Sequence, residues 1–185
     1  MIKVVKDFLP KPIFKDILSV VEGDIDWRWE PQTTIKDDKR WMFTNLIYIH
    51  PELTERGPGI VSKEAISMFG VFKELQDEHI PSAELLKLKM NLNPNQGKQA
   101  EFGIHTDILI NGMSDPNVIT SVFNFHTCNG YTMILGPDGI KEKVPSVANT
   151  LVMFDNYLPH FGVSQTDIPR RIVLNMNVRV NNDPF

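Results

Sequence analysis

Cysteine is almost absent from this chain: Cys128 is the only one in 185 residues. That excludes an intrachain disulfide and any cysteine-built zinc cluster. No apolar run approaches the length of a transmembrane helix, and the opening Met1-Ile2-Lys3-Val4-Val5-Lys6-Asp7 lacks the uninterrupted apolar core of a secretory signal. A reducing cytoplasm is therefore the expected setting, and no membrane partner is expected. Basic charge is short as well. Nineteen Lys and Arg face 23 Asp and Glu, for a net charge of −4 and a pI near 5.7, which argues against a general nucleic-acid surface. Repeats, low-complexity tracts and interdomain linkers are missing too.

What is present describes an ordinary folded chain. Hydrophobic residues make up 42% and charged residues 23%, outside the range of disordered sequences. The length predicts one domain spanning 1–185, large enough for a substantial core.

Residues 2–5 read as a short strand, and Pro12 suits the first turn of a helix running to about Val21, closed by Gly23. A second helix is predicted from about Ser62 to Glu78, with Ala65, Ile66, Phe69, Phe72 and Leu75 at helical spacing. Between them lie Trp27, Trp29 and Trp41, read with Tyr48 as packing residues, and a strand from Met42 to Ile49. From Glu84 onward the pattern is strands and turns. Leu86, Leu88, Met90 and Leu92 alternate with Lys87, Lys89, Asn91 and Asn93; strands follow at 120–126, 131–135, around Val144, at 150–154 and at 171–180, with Gly136-Pro137-Asp138-Gly139 as a hairpin turn. The expectation is a mainly β protein, a sandwich or jelly roll, with flanking helices.

The chemistry centres on His105-Thr106-Asp107, followed 53 residues after Asp107 by His160. Two imidazoles and a carboxylate are the ligand set of a non-haem Fe(II) facial triad, which leaves positions open for a co-substrate and O₂. On an extended segment His105 and Asp107 share a face while Thr106 points away. The run Leu151-Val152-Met153-Phe154-Asp155-Asn156-Tyr157-Leu158-Pro159-His160 is an apolar strand whose turn delivers the second histidine. Arg170-Arg171 then opens a strand with Ile172, Leu174, Met176 and Val178 on one face and Arg171, Val173, Asn175 and Asn177 on the other. A buried arginine on such a face calls for an anionic partner.

These motifs, with Asn129-Gly130-Tyr131-Thr132, together resemble the 2-oxoglutarate/Fe(II)-dependent oxygenases, in particular a short prolyl-hydroxylase-like branch found in bacteria and phages. The resemblance spans roughly residues 84–180. It implies a double-stranded β-helix, a cupin-like jelly-roll barrel with helices outside its larger sheet. It implies Fe(II) held by His105, Asp107 and His160, with 2-oxoglutarate and O₂ as co-substrates. Arg171 takes the place of the arginine that pairs with the C5 carboxylate of 2-oxoglutarate, a task suited to a guanidinium fork, and Arg170 faces outward or sits at the rim. Asn124 stands where related prolyl hydroxylases have a tyrosine, a departure that leaves Asn124, Tyr131 and Asn91 as alternative co-substrate contacts. For Asn175 and Asn177, ordered water and ligand contact are equal readings.

The implied activity is hydroxylation of a C–H bond in a peptidyl proline, an amino acid or a small metabolite, with release of succinate and CO₂. Asp107 argues against a halogenating variant. Rival readings are a cupin-like metalloprotein that does not use 2-oxoglutarate and a catalytically silent binding domain on the same barrel. His50, His79 and His126 are expected to be structural or exposed, and 32–41 and 93–103 are lid candidates.

Overall fold

The computed structural model describes residues 2–32, 40–54, 62–63, 65–110 and 112–180, with Ala65 and Ile66 described in backbone only. Most of the expected 32–41 lid lies outside the described residues. The elements are β1 (Ile2–Val5), α1 (Lys11–Val21), β2 (Arg28–Glu30), β3 (Met42–Ile49), α2 (Ala65–Glu78), β4 (Glu84–Pro94), β5 (Val118–Asn124), β6 (Cys128–Leu135), β7 (Lys141–Ser146), β8 (Thr150–Asp155), β9 (His160–Val163) and β10 (Arg170–Arg179). No helix among the described residues is long and apolar enough to cross a membrane.

Two antiparallel sheets face each other in a jelly roll. The larger runs β1-β8-β5-β10-β4-β3-β2 and the smaller β7-β6-β9. Strand alternation decides what each face of the large sheet carries. Leu88 and Met90 of β4, Phe123 of β5, Leu151 and Met153 of β8, and Ile172, Leu174 and Met176 of β10 point outward into one buried cluster. Both helices close over that cluster: α1 through Ile17 and Val21, α2 through Met68, Val71 and Leu75. Removal of this apolar surface from water is the main drive for the layering. The opposite face of the sheet turns toward the small sheet and shares a second cluster with it, containing Val122, Val152, Phe154 and Val173 with Ile134, Val144 and Leu158.

Several local expectations shift by a few residues. The second helix begins at Ala65 rather than Ser62. The strand expected at 120–126 runs from Val118 to Asn124, so His126 falls beyond it. His105 and Asp107 do not lie on a continuous strand: His105 forms an isolated antiparallel bridge with His160. The hairpin at 136–139 forms as expected, with the Gly136 amide donating to the Ile140 carbonyl at 2.8 Å and the Gly139 amide to the Gly136 carbonyl at 3.0 Å. Gly139 has φ +78°, which favours glycine there.

Candidate active site

The two histidines are brought together by main chain. The amide of each donates to the carbonyl of the other, at 3.0 Å from His105 to His160 and 2.9 Å in return. Their rings then stand 4.5 Å apart between centroids. Nδ1 of His105 donates to the Gly103 carbonyl at 2.8 Å, and Nδ1 of His160 donates to the Leu158 carbonyl at 3.2 Å. A ring that donates from Nδ1 in its neutral form keeps a lone pair on Nε2. Those Nε2 atoms converge on Oδ1 of Asp107, 3.4 Å from His105 and 3.7 Å from His160. One ligand atom from each of the three residues lies within 4.8 Å of the others.

The electrostatics of this trio suit a cation. Burial works to raise the Asp107 pKa, but the hydrogen bond from His105 and the positive charge of the surrounding groups outweigh it and hold the carboxyl well below its ordinary range. Burial lowers the His160 pKa against the pull of Asp107, which favours the neutral ring. For His105, burial is outweighed by Asp107 and the pKa is raised. A metal would therefore compete with a proton on His105. The fit is clearest at His160, whose Nε2 is fully buried with no hydrogen-bond partner. A buried nitrogen lone pair without a donor is costly unless an ion meets it.

Oδ2 of Asp107 is held separately. Asn177 Nδ2 donates to it at 3.0 Å and also to Thr120 Oγ1 at 3.0 Å. Thr120 in turn donates to Asn156 Oδ1 at 3.3 Å. Asn156 is fixed by both backbone polar groups of Ile108, accepting at 3.1 Å and donating at 2.8 Å. Asn156 was not among the expected site residues. Its only sequence signal is a polar residue just after an apolar strand.

A cavity of about 270 Å³ opens beside the trio. Much of its large-sheet wall comes from alternate residues of two paired strands, Lys87, Lys89, Asn91 and Asn93 of β4 with Asn175, Val173 and Arg171 of β10. In register, Lys89, Asn91 and Asn93 stand opposite those three, and Lys87 stands opposite Asn177, which lies just beyond the cavity. Thr106 also borders the cavity. Arg171 is 2% exposed. Its guanidinium donates to Ser146 Oγ at 3.2 Å, Asn124 Oδ1 at 3.3 Å and Thr132 Oγ1 at 3.4 Å. These are neutral acceptors, and no ion pair to Arg171 exists among the described residues. Burial lowers its pKa to about 10, the signature of a cation without a counter-charge.

The three alternative contacts separate. Asn91 borders the cavity, with its buried Oδ1 lacking a protein donor. Asn124 does not border it; its amide accepts from Arg171 and from Ser146 at 3.0 Å and donates to the Thr150 carbonyl at 3.3 Å, so it orients the arginine. Tyr131 is turned away, with Lys143 Nζ 4.2 Å from its ring centroid. The register of β6 shifts between Cys128 and Tyr131, and such a bulge changes which residues point inward. Thr132 takes the inward place.

Arg170 lies outside, paired with Glu22. His126 also meets Glu22, His79 stacks on Phe8, and His50 caps the short helix Pro51–Leu53. Trp27 packs against the main core and Trp41 against Phe43, whereas Trp29 is 57% exposed. The 93–103 lid candidate is hydrogen-bonded to neighbouring segments. Asn95 donates to the Thr166 and Ile168 carbonyls at 3.0 and 3.2 Å, Gln99 to the Asn129 carbonyl at 2.8 Å, and the Ala100 amide to Ser164 Oγ at 2.8 Å.

This jelly roll is similar in fold to solved 2-oxoglutarate/Fe(II) oxygenases. A 2OG-Fe(II) oxygenase-family oxidoreductase from Burkholderia pseudomallei superposes with a TM-score of 0.71 at 7% identity, covering 96% of this chain and 85% of that one. A prolyl-4-hydroxylase from Pseudomonas putida gives 0.61 at 16% identity over 97% and 92% of the two chains. A Trichoplax adhaerens prolyl hydroxylase, in complex with a hypoxia-inducible-factor peptide fragment, gives 0.59 at 13% identity over 96% and 83%. No family model matches the sequence, and a search of curated proteins returns no match either.

Proposed function

We propose that this protein is an Fe(II)- and 2-oxoglutarate-dependent dioxygenase that hydroxylates a C–H bond of a small molecule or peptide. The observation that carries the reading is the pairing, in one cavity, of a convergent His-Asp-His cluster with a buried arginine that has no carboxylate partner among the described residues. Either feature alone has other uses. Together they match a ligand that chelates a metal at one end and presents a carboxylate at the other.

His105, Asp107 and His160 would hold the iron, which with 2-oxoglutarate and O₂ supplies the oxidising power for C–H cleavage as the co-substrate is converted to succinate and CO₂. The protein's own part is positional. Gly103 and Leu158 fix the histidine tautomers, and Asn177 holds the remaining carboxylate oxygen. Asn124, Ser146 and Thr132 aim the guanidinium of Arg171 into the cavity. Phe102, Val122 and Val173 line the space between with apolar surface, limiting water around the reacting groups.

Anaerobic titration of the Fe(II)-loaded protein with 2-oxoglutarate tests the reading through the weak visible metal-to-ligand charge-transfer band. The band is expected in the wild type, absent in His160→Ala, and recovered in Arg171→Met only at co-substrate concentrations at least about tenfold higher, as for loss of a charge-assisted hydrogen-bonded pair. Iron uptake with no band at any concentration would overturn it in favour of a cupin-like metalloprotein or a silent binding domain.

A further inference from the structure

The cavity has a second cationic pole besides Arg171, made by Lys87 and Lys89. Lys87 and Lys89 lie on the cavity face of β4, opposite Asn177 and Asn175. Arg171 lies opposite Asn93, so at a strand rise of about 3.3 Å per residue Lys89 stands roughly 13 Å along β4 from the arginine's register position and Lys87 roughly 20 Å. The iron-ligand cluster belongs to the lysine end, because Asn177 holds Asp107. Both lysines also border an adjoining depression lined by Asp26, Arg28, Glu30 and Thr44. They therefore stand where that depression meets the main cavity.

Neither lysine forms an ion pair among the described residues, although acidic groups are close. Asp26 is taken by Lys63 at 3.3 Å, and Glu30 by Arg28 at 3.3 Å and Thr44 at 3.3 Å. Asp107, the carboxylate of the cavity itself, is committed to the histidine cluster and Asn177. Burial and the neighbouring Lys87 together push the Lys89 pKa down to about 8, which still leaves the ammonium charged at neutral pH. Two half-buried like charges on one strand face repel each other, a cost that a bound anion removes. With a divalent iron, Asp107, a dianionic co-substrate and Arg171 in place, the charges at the centre cancel. The two lysines remain as surplus.

We propose that Lys87 and Lys89 recognise an anionic group on the primary substrate, a carboxylate or a phosphate, and so select an acidic substrate over a neutral or basic one. The assignment rests on the oxygenase reading above, since it is the co-substrate that occupies Arg171 and leaves the lysines for the substrate.

The test uses Mn(II) in place of iron with saturating 2-oxoglutarate, and two matched pairs of probes. N-acetylalanine against N-acetylalaninamide reports on carboxylate, and glycerol 3-phosphate against glycerol on phosphate. Paramagnetic relaxation of the probe protons by the Mn(II) measures binding near the metal, and calorimetry measures 2-oxoglutarate uptake independently. One anionic probe is expected to relax with an apparent affinity at least about tenfold above its neutral twin. The Lys87→Met/Lys89→Met variant is expected to lose that preference while still taking up 2-oxoglutarate. Methionine keeps the apolar stem, and retained co-substrate uptake shows that the barrel has folded. Equal binding of the neutral twins, absence of binding by either anion, or a preference that survives in the double variant overturns the proposal. A wild type that binds Mn(II) but takes up no 2-oxoglutarate overturns the co-substrate reading first and this proposal with it.

Discussion

Asn177 shows how much of the site depends on residues that do not themselves point at a ligand. Its amide bridges Oδ2 of Asp107 and Thr120 Oγ1, and the chain continues through Asn156 to the backbone of Ile108, one residue after Asp107 itself. The carboxylate is thereby fixed from both ends, with only Oδ1 left facing the histidines. Partners that orient metal-binding groups in this way typically matter by 10- to 100-fold in metal affinity. Asn177→Ala is expected to weaken Mn(II) binding by about that factor, while Asn175→Ala, on the same strand face and without a bond to Asp107, leaves it close to wild type. Calorimetric titration decides, and equal affinities for the two variants would remove Asn177 from the proposed metal site. The sequence placed both asparagines on the inward face but could not separate their roles. Alternation fixes the face, and the bond to Asp107 depends on how a distant loop folds back.

At the scale of elements, β10 and the part of β4 from Lys87 onward were the most legible, because a regular period-2 pattern leaves one assignment of faces. Before Lys87 the register shifts, and Leu86 leaves the face expected of it to pack with Ile108 and Val118. The β10 pattern puts Arg171 inward and Arg170 outward or at the rim. Strand β6 was less legible. Its bulge around Asn129 and Gly130 resets the alternation, so Tyr131 points out and Thr132 points in, and no count from neighbouring residues reveals the extra step. The same bulge explains Gly130. A Cβ there would sit 2.9 Å from the Val163 carbonyl oxygen and 3.0 Å from Arg171 Cδ, whereas one at Gly162 would meet Phe102 and Arg171 no closer than 3.4 Å. The backbone oxygen cannot yield, so an added methyl at 130 displaces the arginine. Gly130→Ala is expected to raise the 2-oxoglutarate dissociation constant about tenfold and to cost about 1–3 kcal/mol of stability, with metal affinity unchanged and Gly162→Ala much milder. A Gly130→Ala protein that binds the co-substrate like wild type would show that Arg171 has room to move.

Across the whole molecule, periodicity made a β sandwich or jelly roll with flanking helices legible, the choice of jelly roll came from the family resemblance, and the ties between distant segments were not legible. Asn149 is the clearest such tie. It sits at φ +56°, a left-handed conformation that asparagine tolerates better than most residues. Its side chain accepts from the Leu9 amide at 2.9 Å and donates to the Leu9 carbonyl at 2.8 Å. Its own amide donates to the Asn124 carbonyl at 2.9 Å, and its carbonyl accepts from the Phe8 amide at 3.0 Å. The link between β1 and α1 is thereby clamped to the strand that orients Arg171, across 140 residues of sequence. Leu9 is 1% exposed, so loss of the asparagine side chain strands a buried amide and a buried carbonyl, each costing about 1–3 kcal/mol. Asn149→Ala adds the strain of a left-handed alanine, whereas Asn149→Gly removes the hydrogen bonds without that strain. The expected order in urea unfolding is wild type, then Asn149→Gly about 2–4 kcal/mol lower, then Asn149→Ala about 1 kcal/mol lower still. If both variants unfold within 1 kcal/mol of wild type, the amino-terminal segment is held by the apolar contacts of β1 and α1 alone, and the clamp contributes nothing to the barrel.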